Sequence, residues 1–399
     1  MNTKRFADCT DELADIIKNG GLVAVPTETV YGLAGNGLDE AAVAEIYEVK
    51  GRPEIKPLSL MVHDLSAINR YCDNVPPQAY TLAKKFWPGP LTIVMDAKPC
   101  VPEIVRAGGK TVGLRCPDHL LTLRLLEKSG VPFAAPSANP SGMSSPKNAD
   151  SVLRYFDGKI DAVLDGGECG LGRESTLISL SQTPYKILRQ GALSAEDIAD
   201  ALVGAMTLIG ITGGTGCGKT TALNELKRRG ALLIDCDKVY HKMLENDKPM
   251  LDEIDRYFPG AVVNGKLDRK ALGALVFTDE EALRDLNIIT HKYVNLEVRR
   301  LLREHAMNGG TLAAIDAIEL FSSGLANLCK ATVGVIADTD VRINRIMQRD
   351  SLSREYAIMR VNAQRPNEYF IQKCSYILEN NGSQDEFIEK CKKLFEEVL

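Results

Sequence analysis

Long hydrophobic runs are absent from this sequence of 399 residues. No apolar stretch reaches the roughly 18 residues that a membrane-spanning helix needs, so we expect no membrane partner. The first residues, MNTKRFADCTDELADIIKNGG, also lack the apolar stretch of a secretion signal. We therefore expect a cytoplasmic protein.

An excess of positive charge is also missing. The 48 basic and 53 acidic residues leave a net charge of −5. This balance excludes a nucleic-acid binder that works by bulk positive charge, although a local basic cleft remains open. We expect no stable binding of nucleic acid.

Paired cysteines are missing as well, because no two of the ten cysteines are close enough for a CxxC motif. We expect reduced and mostly buried thiols rather than disulfides. The sequence also contains no internal repeat and no low-complexity segment.

The hydrophobic pattern changes near residue 205. Before this point, short strand patterns are mixed with short helical ones. After it, apolar strands alternate with longer helices, which is typical of a parallel sheet with helices on both faces. We predict one α/β domain over residues 1–205 and a second over 206–399, each long enough for its own core. The strands predicted in the second domain are TLIGIT (207–212), ALLID (231–235), TLAAID (311–316) and TVGVIA (332–337).

The strongest local motif is the segment GGTGCGKT (213–220), which matches GxxxxGK[ST] between a predicted strand and a predicted helix. Its glycines let backbone N–H groups wrap phosphate oxygens, and the helix N-terminus adds its positive end. Lys219 supplies a point charge to a transferred phosphoryl group, and the Thr220 hydroxyl can bind Mg²⁺. The residues expected around the phosphates are Gly213, Gly214, Gly216, Cys217, Gly218, Lys219, Thr220 and Thr221.

Two groups of charged residues follow the motif. Asp235 and Asp237 stand two positions apart at a strand end, so an extended chain would point both to one side. A carboxylate there could accept the proton of an attacking hydroxyl, hold a metal, or cap the next helix. Arg342, Arg345 and Arg349 recur at helical spacing, which by itself is typical of a solvated helix face.

Taken in order, these pieces resemble the dephospho-CoA kinases over most of residues 207–399. The resemblance implies a P-loop kinase with a parallel sheet, a helical acceptor region and a lid. It also implies that ATP, with Mg²⁺, phosphorylates the 3′-hydroxyl of dephospho-CoA to give coenzyme A. A nucleotide kinase of another specificity is the alternative. The stretches that carry the resemblance are GITGGTGCGKTTALNELKRRGALLIDCDKVYHKML, GKLDRKALGALVFTD, LNIITHKYV, IMQRDSLSREYAIMRVNAQ and YILENNG.

The resemblance assigns roles to particular residues of the second domain. One stretch departs from the family, because residues 318–322 read IELFS where the family usually has PLLFE, so its Pro and Glu are absent. This departure concerns one wall of the acceptor site. The matching residues are Asp237 for the base at the ribose 3′-hydroxyl, Arg269 and His291 for the acceptor side, and Arg345 and Arg349, continued by Gln364, for the lid over ATP.

The first domain contains two polar pieces bounded by proline. In Lys50-Gly51-Arg52-Pro53 the proline disfavours helical geometry at Arg52, so we expect Lys50 and Arg52 to face one way. The same reasoning predicts that Ser137 and Asn139 share one side. Two cations and two neutral donors suit a polyphosphate or carboxylate ligand, although each piece could also be a surface loop.

Together with other stretches, these pieces resemble the YrdC-like threonylcarbamoyl-AMP synthases across nearly the whole first half. The resemblance implies a twisted, mixed α/β sheet domain that forms L-threonylcarbamoyladenylate from L-threonine, bicarbonate and ATP, with release of pyrophosphate. The product is then passed to a tRNA-modifying transferase complex that makes N6-threonylcarbamoyladenosine. The matching stretches are PTETVYGLAGNGLD, IYEVKGRPEIKPLSLMV, WPGPLTIV, VGLRCPDH, AAPSANPSG, RESTLI and KILRQGA.

This resemblance also assigns site residues. We choose Lys50 and Arg52 as the catalytic cations that stabilise the departing pyrophosphate. No protein ligand for Mg²⁺ stands out in this half. The residues expected near the nucleotide are Lys50, Arg52, Lys56, Asn139, Ser145 and Arg189, and those expected near threonine are Thr29, His63, Arg115, His119, Ser137 and Ser175.

Two other classes of function compete for the first half. It could be an RNA-binding module, although its 21 basic and 25 acidic residues make this secondary. It could also serve a carbamoyl-transfer maturation system, in which this domain type is found beside zinc modules. The sequence lacks the cysteine pairs that such zinc modules need.

Overall fold

The computed structural model describes residues 2–276 and 279–399. Met1 and the FT pair of the stretch GKLDRKALGALVFTD, residues 277 and 278, lie outside the described residues. The chain divides into two compact units. The first runs up to Gly204 and includes Met307–Gly309, and the second consists of Ala205–Ala306 and Gly310–Leu399.

The first unit is built on one mixed sheet, which has eleven strands in the described part of the chain. Their order is β1-β9-β2-β3-β8-β4-β7-β6-β10-β11, with β5 paired to β6. Parallel pairs such as β4 with β7 lie beside antiparallel pairs such as β6 with β7. The strands are β1 (Lys4–Phe6), β2 (Val23–Val25), β3 (Gly32–Asn36), β4 (Ser59–Met61), β5 (Cys72–Asp73), β6 (Leu91–Ala97), β7 (Thr111–Arg115), β8 (Phe133–Ala134), β9 (Ala162–Leu164), β10 (Thr176–Ser179) and β11 (Lys186–Arg189).

The helices of the first unit begin and end at residues suited to those positions. The Asp39 carboxylate accepts from the N–H of Ala41, and Gly51 closes the same helix in a left-handed conformation. Ser194 caps the last helix through the N–H of Asp197, at 3.0 Å, as its sequence predicts. The helices are α1 (Asp11–Lys18), α2 (Glu40–Lys50), α3 (Ser66–Tyr71), α4 (Pro77–Phe86), α5 (Leu120–Ser129), α6 (Ala149–Phe156) and α7 (Ala195–Gly204).

The second unit has a parallel sheet in the order β13-β16-β12-β17-β18. Its strands are nearly continuous apolar runs, as expected where both faces of a sheet are covered. A two-stranded hairpin, β14 with β15, lies apart from this sheet. The strands are β12 (Thr207–Thr212), β13 (Leu232–Asp235), β14 (Val262–Val263), β15 (Lys266–Leu267), β16 (Leu312–Asp316), β17 (Ala331–Ile336) and β18 (Tyr376–Glu379).

The helices of the second unit include the long α12. Helices α8 and α16 pack with the central strands into one core, which contains Ile209, Leu226, Val333 and Phe387. A short 3-10 helix lies at Leu325–Leu328. The α-helices are α8 (Lys219–Arg228), α9 (Cys236–Asn246), α10 (Lys248–Tyr257), α11 (Arg269–Val276), α12 (Glu280–Met307), α13 (Thr339–Asp350), α14 (Arg354–Asn362), α15 (Asn367–Lys373) and α16 (Gln384–Val398).

The fold class predicted from the sequence is confirmed, with a mixed α/β sheet first and a parallel sheet second. The four strands predicted in the second domain correspond to β12, β13, β16 and β17. All ten cysteines are free thiols, and most of them are buried. Within the described residues, no helix is both long enough and apolar enough to span a membrane.

Candidate active sites

The phosphate loop connects β12 to α8 at the carboxyl edge of the parallel sheet. Gly213 and Gly218 have φ values of +141° and +97°, which favour glycine. A Cβ atom on Gly213 would lie 2.2 Å from the Val335 carbonyl oxygen, and one on Gly218 would lie 2.2 Å from Nδ2 of Asn380. Gly213 and Gly218 are therefore required by packing as well as by backbone conformation.

Side-chain donors bind alternate carbonyl oxygens of this loop. Lys219 Nζ donates to Gly213 O at 2.8 Å, Arg342 Nε to Thr215 O at 3.1 Å, and Asn380 Nδ2 to Cys217 O at 2.8 Å. Because these carbonyls turn toward side chains, the loop can present its N–H groups to an anion at the start of α8. Thr220 stands there with an exposed side chain, and the N–H of Thr221 bonds to Gly218 O at 3.0 Å.

Three carboxylates lie near the loop. Asp235 caps α9, because its Oδ1 accepts from the N–H of Lys238 at 3.0 Å. Asp237 lies in the first turn of α9 with an exposed side chain. Asp316 ends β16 in register with Asp235. Burial, together with the charges of Asp235 and Asp237, raises the pKa of Asp316 to about 6, although the Lys219 ammonium opposes this shift.

Sequence reasoning missed Asp316. The signal was present, since the apolar strand TLAAID ends on it and carboxyl ends of parallel strands meet at one edge of the sheet. Of the two aspartates that the sequence offers as caps for the next helix, Asp235 is the one that caps α9.

Asp237 lines a cavity between α9, α12 and the segment after β16, which is the candidate acceptor site. His291 lies in it half-buried, and burial lowers the pKa of its imidazole while the charge of Glu319 opposes the shift. Arg269 lies close enough to Tyr240, on the cavity wall, to affect the pKa of that phenol, which burial raises. The lining residues are Cys236, Asp237, Tyr240, Leu286, Asn287, Thr290, His291, Val294, Ala317, Ile318, Glu319, Ser323 and Leu325.

The stretch that departs from the family forms part of this wall. Ile318 and Glu319 both line the cavity. The Glu319 carboxylate accepts a hydrogen bond from the hydroxyl of Ser322, the residue that stands where the family usually has Glu. A carboxylate is therefore still present at this wall, three positions earlier in the chain.

The three arginines of α13 have different surroundings. Arg342 is 3% exposed and contacts the phosphate loop, so the interpretation of all three as a solvated face is wrong. Arg345 donates to Gly216 O at 3.4 Å and to Asn380 O at 3.0 Å. Arg349 pairs with Asp350 at 2.7 Å and lies at the surface.

The first unit has a cavity where loops around β4, β6, β7 and β10 meet. Three guanidinium groups line it, those of Arg52, Arg115 and Arg189. Arg115 is 6% exposed, and one of its terminal nitrogens lies 2.8 Å from both Glu28 Oε1 and Thr29 Oγ1. The other lining residues are Val30, Gly32, Pro57, Leu58, Ser59, Met61, Thr92, Ala135, Pro136, Ser137, Glu174, Ser175 and Leu177.

Ser175 connects two parts of this cavity wall. Its hydroxyl lies 2.9 Å from that of Thr92, and a terminal nitrogen of Arg189 donates to it at 3.1 Å. Arg189 also pairs with Glu174. The cavity therefore combines cations with hydroxyl groups, a donor set that suits an anionic ligand.

The expected shared face of Lys50 and Arg52 needs correction. Lys50 is the last residue of α2, and Gly51 is left-handed, so the segment is not extended there. Lys50 is 3% exposed, and its ammonium donates to the carbonyls of Ser137 and Asn139. Burial, with a smaller contribution from Arg52, lowers the pKa of Lys50 to about 7.

Ser137 and Asn139 do not share a side in the way that the sequence predicts. Ser137 lines the cavity. Asn139 is 6% exposed, and its Nδ2 donates within its own loop, to Pro140 O at 3.0 Å and Met143 O at 2.7 Å. The N–H of Asn139 reaches back to Ser137 O at 2.9 Å, which marks a tight turn rather than an extended strand.

The remaining predicted residues lie at different distances from the cavity. Ser145 donates at 3.2 Å to Glu174, which lines the cavity, and Lys56 is exposed in the loop whose carbonyl accepts from Arg52. His63 lines a separate surface hollow beside Asp64. His119 is half-buried at the start of α5, and within the described residues its Nδ1 is buried without a hydrogen-bond partner. Burial lowers the pKa of His119.

Sequence reasoning also missed Glu28 and Glu174, which pair with Arg115 and Arg189. Both stand inside matched stretches, PTETVYG and RESTLI, next to Thr29 and Ser175, which the resemblance assigns to the threonine side. A carboxylate beside a residue expected to bind an anion is the signal that could have found them.

The fold and the loop geometry define the second unit as a P-loop kinase and the first as a mixed α/β domain with an arginine-lined cavity. Family models match both halves of the chain. Residues 15–191 match the Sua5, YciO and YrdC family, described as telomere recombination. Residues 207–386 match the dephospho-CoA kinase family.

Curated relatives match each half separately. A threonylcarbamoyl-AMP synthase of Pyrococcus abyssi is 47% identical over 185 residues, covering 46% of this chain and 54% of its own. A putative threonylcarbamoyl-AMP synthase of Methanocaldococcus jannaschii is 37% identical, covering 50% of this chain and 93% of its own. A dephospho-CoA kinase of Anaeromyxobacter dehalogenans is 38% identical, covering 48% of this chain and 92% of its own. This chain thus spans about half the length of the Pyrococcus protein.

The chain belongs to the threonylcarbamoyl-AMP synthase family through its first half and to the dephospho-CoA kinase family through its second half. The resemblances stated from the sequence are confirmed.

Proposed function

We propose that the chain is a bifunctional enzyme that forms L-threonylcarbamoyladenylate in its first half and phosphorylates dephospho-CoA in its second half. The observation that supports this proposal is that each unit has its own cluster of groups suited to a polyphosphate. The first unit has three cavity arginines, and the second has a glycine loop with Lys219.

In the second unit, the phosphate loop holds the phosphates of ATP and Lys219 moves from Gly213 O to the transferred phosphoryl group. Mg²⁺ fits the groups present, because Thr220 offers a hydroxyl and Asp316 a carboxylate, and Mg²⁺ prefers oxygen ligands. When bound, Mg²⁺ would neutralise charge that develops on the phosphate oxygens.

Asp237 is the proposed base. Its exposed carboxylate lines the acceptor cavity beside the loop, where it would take the proton of the ribose 3′-hydroxyl. The 3′-oxygen then forms a bond to the γ-phosphorus, and the bond from that phosphorus to the β,γ-bridging oxygen breaks to release ADP. His291 and Arg269 lie on the acceptor side, and Arg345 and Arg349 are proposed to act on ATP from the lid.

In the first unit, the amine of L-threonine combines with bicarbonate to give a carbamate with loss of water. A carbamate oxygen then attacks the α-phosphorus of ATP, and pyrophosphate leaves with the electron pair of the broken P–O bond. The reaction needs no covalent enzyme intermediate, so catalysis rests on holding two anions together and stabilising the departing charge.

The three cavity arginines are proposed to bind different parts of the two substrates. Arg52 and Arg189 are proposed to bind the phosphates, with Lys56, Asn139 and Ser145 nearby. Arg115, fixed by Glu28 and Thr29, is proposed to bind threonine with Ser137, Ser175, His63 and His119. A direct role for Lys50 at the departing pyrophosphate stays a prediction. Its contacts with the Ser137 and Asn139 carbonyls support a role in shaping the loop of Ser137.

The product is a mixed anhydride of a carbamate and a phosphate, which water can cleave. We therefore propose that a tRNA-modifying transferase complex in the cytoplasm consumes it. We do not expect this chain to bind RNA stably.

The test is to assay the purified intact chain for both reactions. We expect release of pyrophosphate that requires both threonine and bicarbonate, and formation of coenzyme A from dephospho-CoA and ATP. RNA binding without threonine-dependent turnover would contradict the first assignment. Phosphorylation of another nucleotide in place of dephospho-CoA would contradict the second.

A further inference from the structure

Helices α13 and α14 form a small apolar cluster of their own. Ile343 and Ile346 of α13 pack against Ala357 and Val361 of α14, apart from the core of the parallel sheet. A cluster of this size contributes far less burial than the sheet core, so local opening of α14 should cost less free energy than opening the sheet. Contacts elsewhere must therefore help to hold this helix pair in place.

A side chain near the start of α13 and a side chain just after the end of α14 both contact Thr215 of the phosphate loop. The Oε1 atom of Gln364, which follows α14, accepts from the N–H of Thr215 at 2.7 Å, and its Nε2 donates to Thr215 Oγ1 at 2.7 Å. Arg342 of α13 donates to Thr215 O at 3.1 Å and to Gln364 Oε1 at 2.8 Å. Four hydrogen bonds thus join Thr215, Gln364 and Arg342 into a closed set, here called the loop clamp.

The loop clamp fixes the backbone on both sides of Thr215. Arg342 is 3% exposed, and a buried guanidinium stays in place only where its donors are bonded. A Cβ atom on Gly214 would lie 2.2 Å from a terminal nitrogen of Arg342 and 3.0 Å from Gln364 Oε1. Gly214 is therefore required by the clamp, as Gly213 and Gly218 are required by their contacts with Val335 and Asn380.

We propose that Arg342 and Gln364 are positioning residues that couple the order of α14 to nucleotide binding at the phosphate loop. The shape of the loop depends on a bond to Gln364, and Gln364 keeps its place only while α14 stays packed on α13. Because linkage is reciprocal, a nucleotide that stabilises the loop also protects α14 from opening. The proposal rests on the proposed kinase function where the kinase rate is measured. The measurement of ATP binding does not depend on that function.

The experiment compares three variants of the intact chain by Mg-ATP binding, kinase rate, and hydrogen exchange of residues 354–362. Gln364→Leu removes both bonds to Thr215, and we expect ATP affinity to fall about tenfold, as for two lost hydrogen bonds. We also expect KM for ATP to rise with a smaller change in kcat, and ATP to lose its protection of α14. Gln364→Glu keeps the acceptor for Thr215 and Arg342, and should restore affinity to within about threefold of the wild type. Gln348→Leu, on an exposed position of α13, is the matched control.

Wild-type affinity and wild-type protection of α14 in a folded Gln364→Leu variant would overturn the proposal. So would an equal loss in Gln364→Leu and Gln364→Glu, since that result would indicate packing rather than the acceptor. If the wild type binds ATP without phosphorylating dephospho-CoA, the proposed kinase function fails while the binding and exchange measurements still decide the clamp.

Discussion

The polyphosphate sites proposed for the two units differ in how they are built. In the second unit the backbone forms the site, because carbonyls of the loop turn toward Lys219, Arg342 and Asn380. In the first unit the site consists of side chains, since Arg52, Arg115 and Arg189 reach one cavity from three distant segments. A backbone site needs glycines in one short stretch, whereas a side-chain site needs a fold that brings separate residues together.

This difference governs how each site should respond to substitution. The glycine loop concentrates its charge in one lysine, so we expect a single change to be severe. The arginine cavity shares its charge among several groups, of which two are also paired with Glu28 and Glu174. Losses there should be smaller for each residue.

Lys219→Ala should have the largest effect. It removes the point charge that acts on the transferred phosphoryl group, so we expect the kinase rate to fall by a factor of about 10² or more. Formation of threonylcarbamoyladenylate should be unchanged, because the first unit has its own cations. Rates of both reactions are measured on the same preparation, with Lys227→Ala of α8 as the exposed control. Equal loss of both activities in a folded variant would contradict two separate nucleotide sites.

Asp237→Asn should also impair the kinase strongly, but without loss of ATP binding. The change removes a base and leaves the phosphate loop untouched, so we expect turnover to fall by a factor of about 10². Equilibrium ATP binding and the initial rate of coenzyme A formation separate the two effects. Asp252→Asn, at an exposed position of α10, is the control. Weakened ATP binding with normal turnover would instead make Asp237 a metal or structural residue.

Arg52→Ala should show the reverse selectivity of Lys219→Ala. We expect threonine-dependent release of pyrophosphate to fall by a factor of about 10 to 10², because Arg115 and Arg189 remain in the cavity. The kinase rate should not change. Arg124→Ala, an exposed arginine of α5, controls for general loss of charge. Near-normal synthase turnover would show that the segment around Arg52 is only a surface loop.

A substitution of Lys50 should have a smaller effect, which falls on the free energy of unfolding and on how that free energy changes with pH. Above pH 7 the folded chain loses the Lys50 proton, whereas the unfolded chain keeps it to about pH 10. The folded state is therefore stabilised as pH rises from 7 to 9, by at most about 1.4 kcal/mol per pH unit from this group. Lys50→Met should make that slope flatter.

Unfolding by urea can be followed through Trp87, the single tryptophan, which is 9% exposed in the first unit. Lys85→Met, at an exposed position of α4, should keep the wild-type slope. An unchanged slope in Lys50→Met would show that the Lys50 ammonium stays charged in the folded chain.

The sequence predicted the second unit in more detail than the first for a physical reason. The loop from Gly213 to Thr220 is contiguous, and β12 and β16 are apolar runs whose bounds follow from composition. Contacts between residues far apart in the chain were not predictable, such as the hydrogen bond from Arg342 to Thr215 O. They depend on which strands become neighbours.

In the first unit, local rules gave the wrong geometry at the two proline-bounded pieces. Proline disfavours helix at the residue before it, but it did not prevent α2 from reaching Lys50, because Gly51 ends the helix. The turn at Asn139 likewise depends on bonds to Pro140 and Met143 rather than on proline alone. The arginine cavity could be inferred only from family resemblance.

The most direct test of the account is to separate the two units at the predicted boundary, between Gly204 and Thr207. Residues 1–205 and 206–399 are expressed apart, and both reactions and both unfolding transitions are measured for each fragment and for the intact chain. Two self-contained sites predict that the first fragment keeps only threonylcarbamoyladenylate formation and the second only phosphorylation of dephospho-CoA, each near the rate of the intact chain. An inactive or insoluble fragment that regains activity when the other is added would contradict the account.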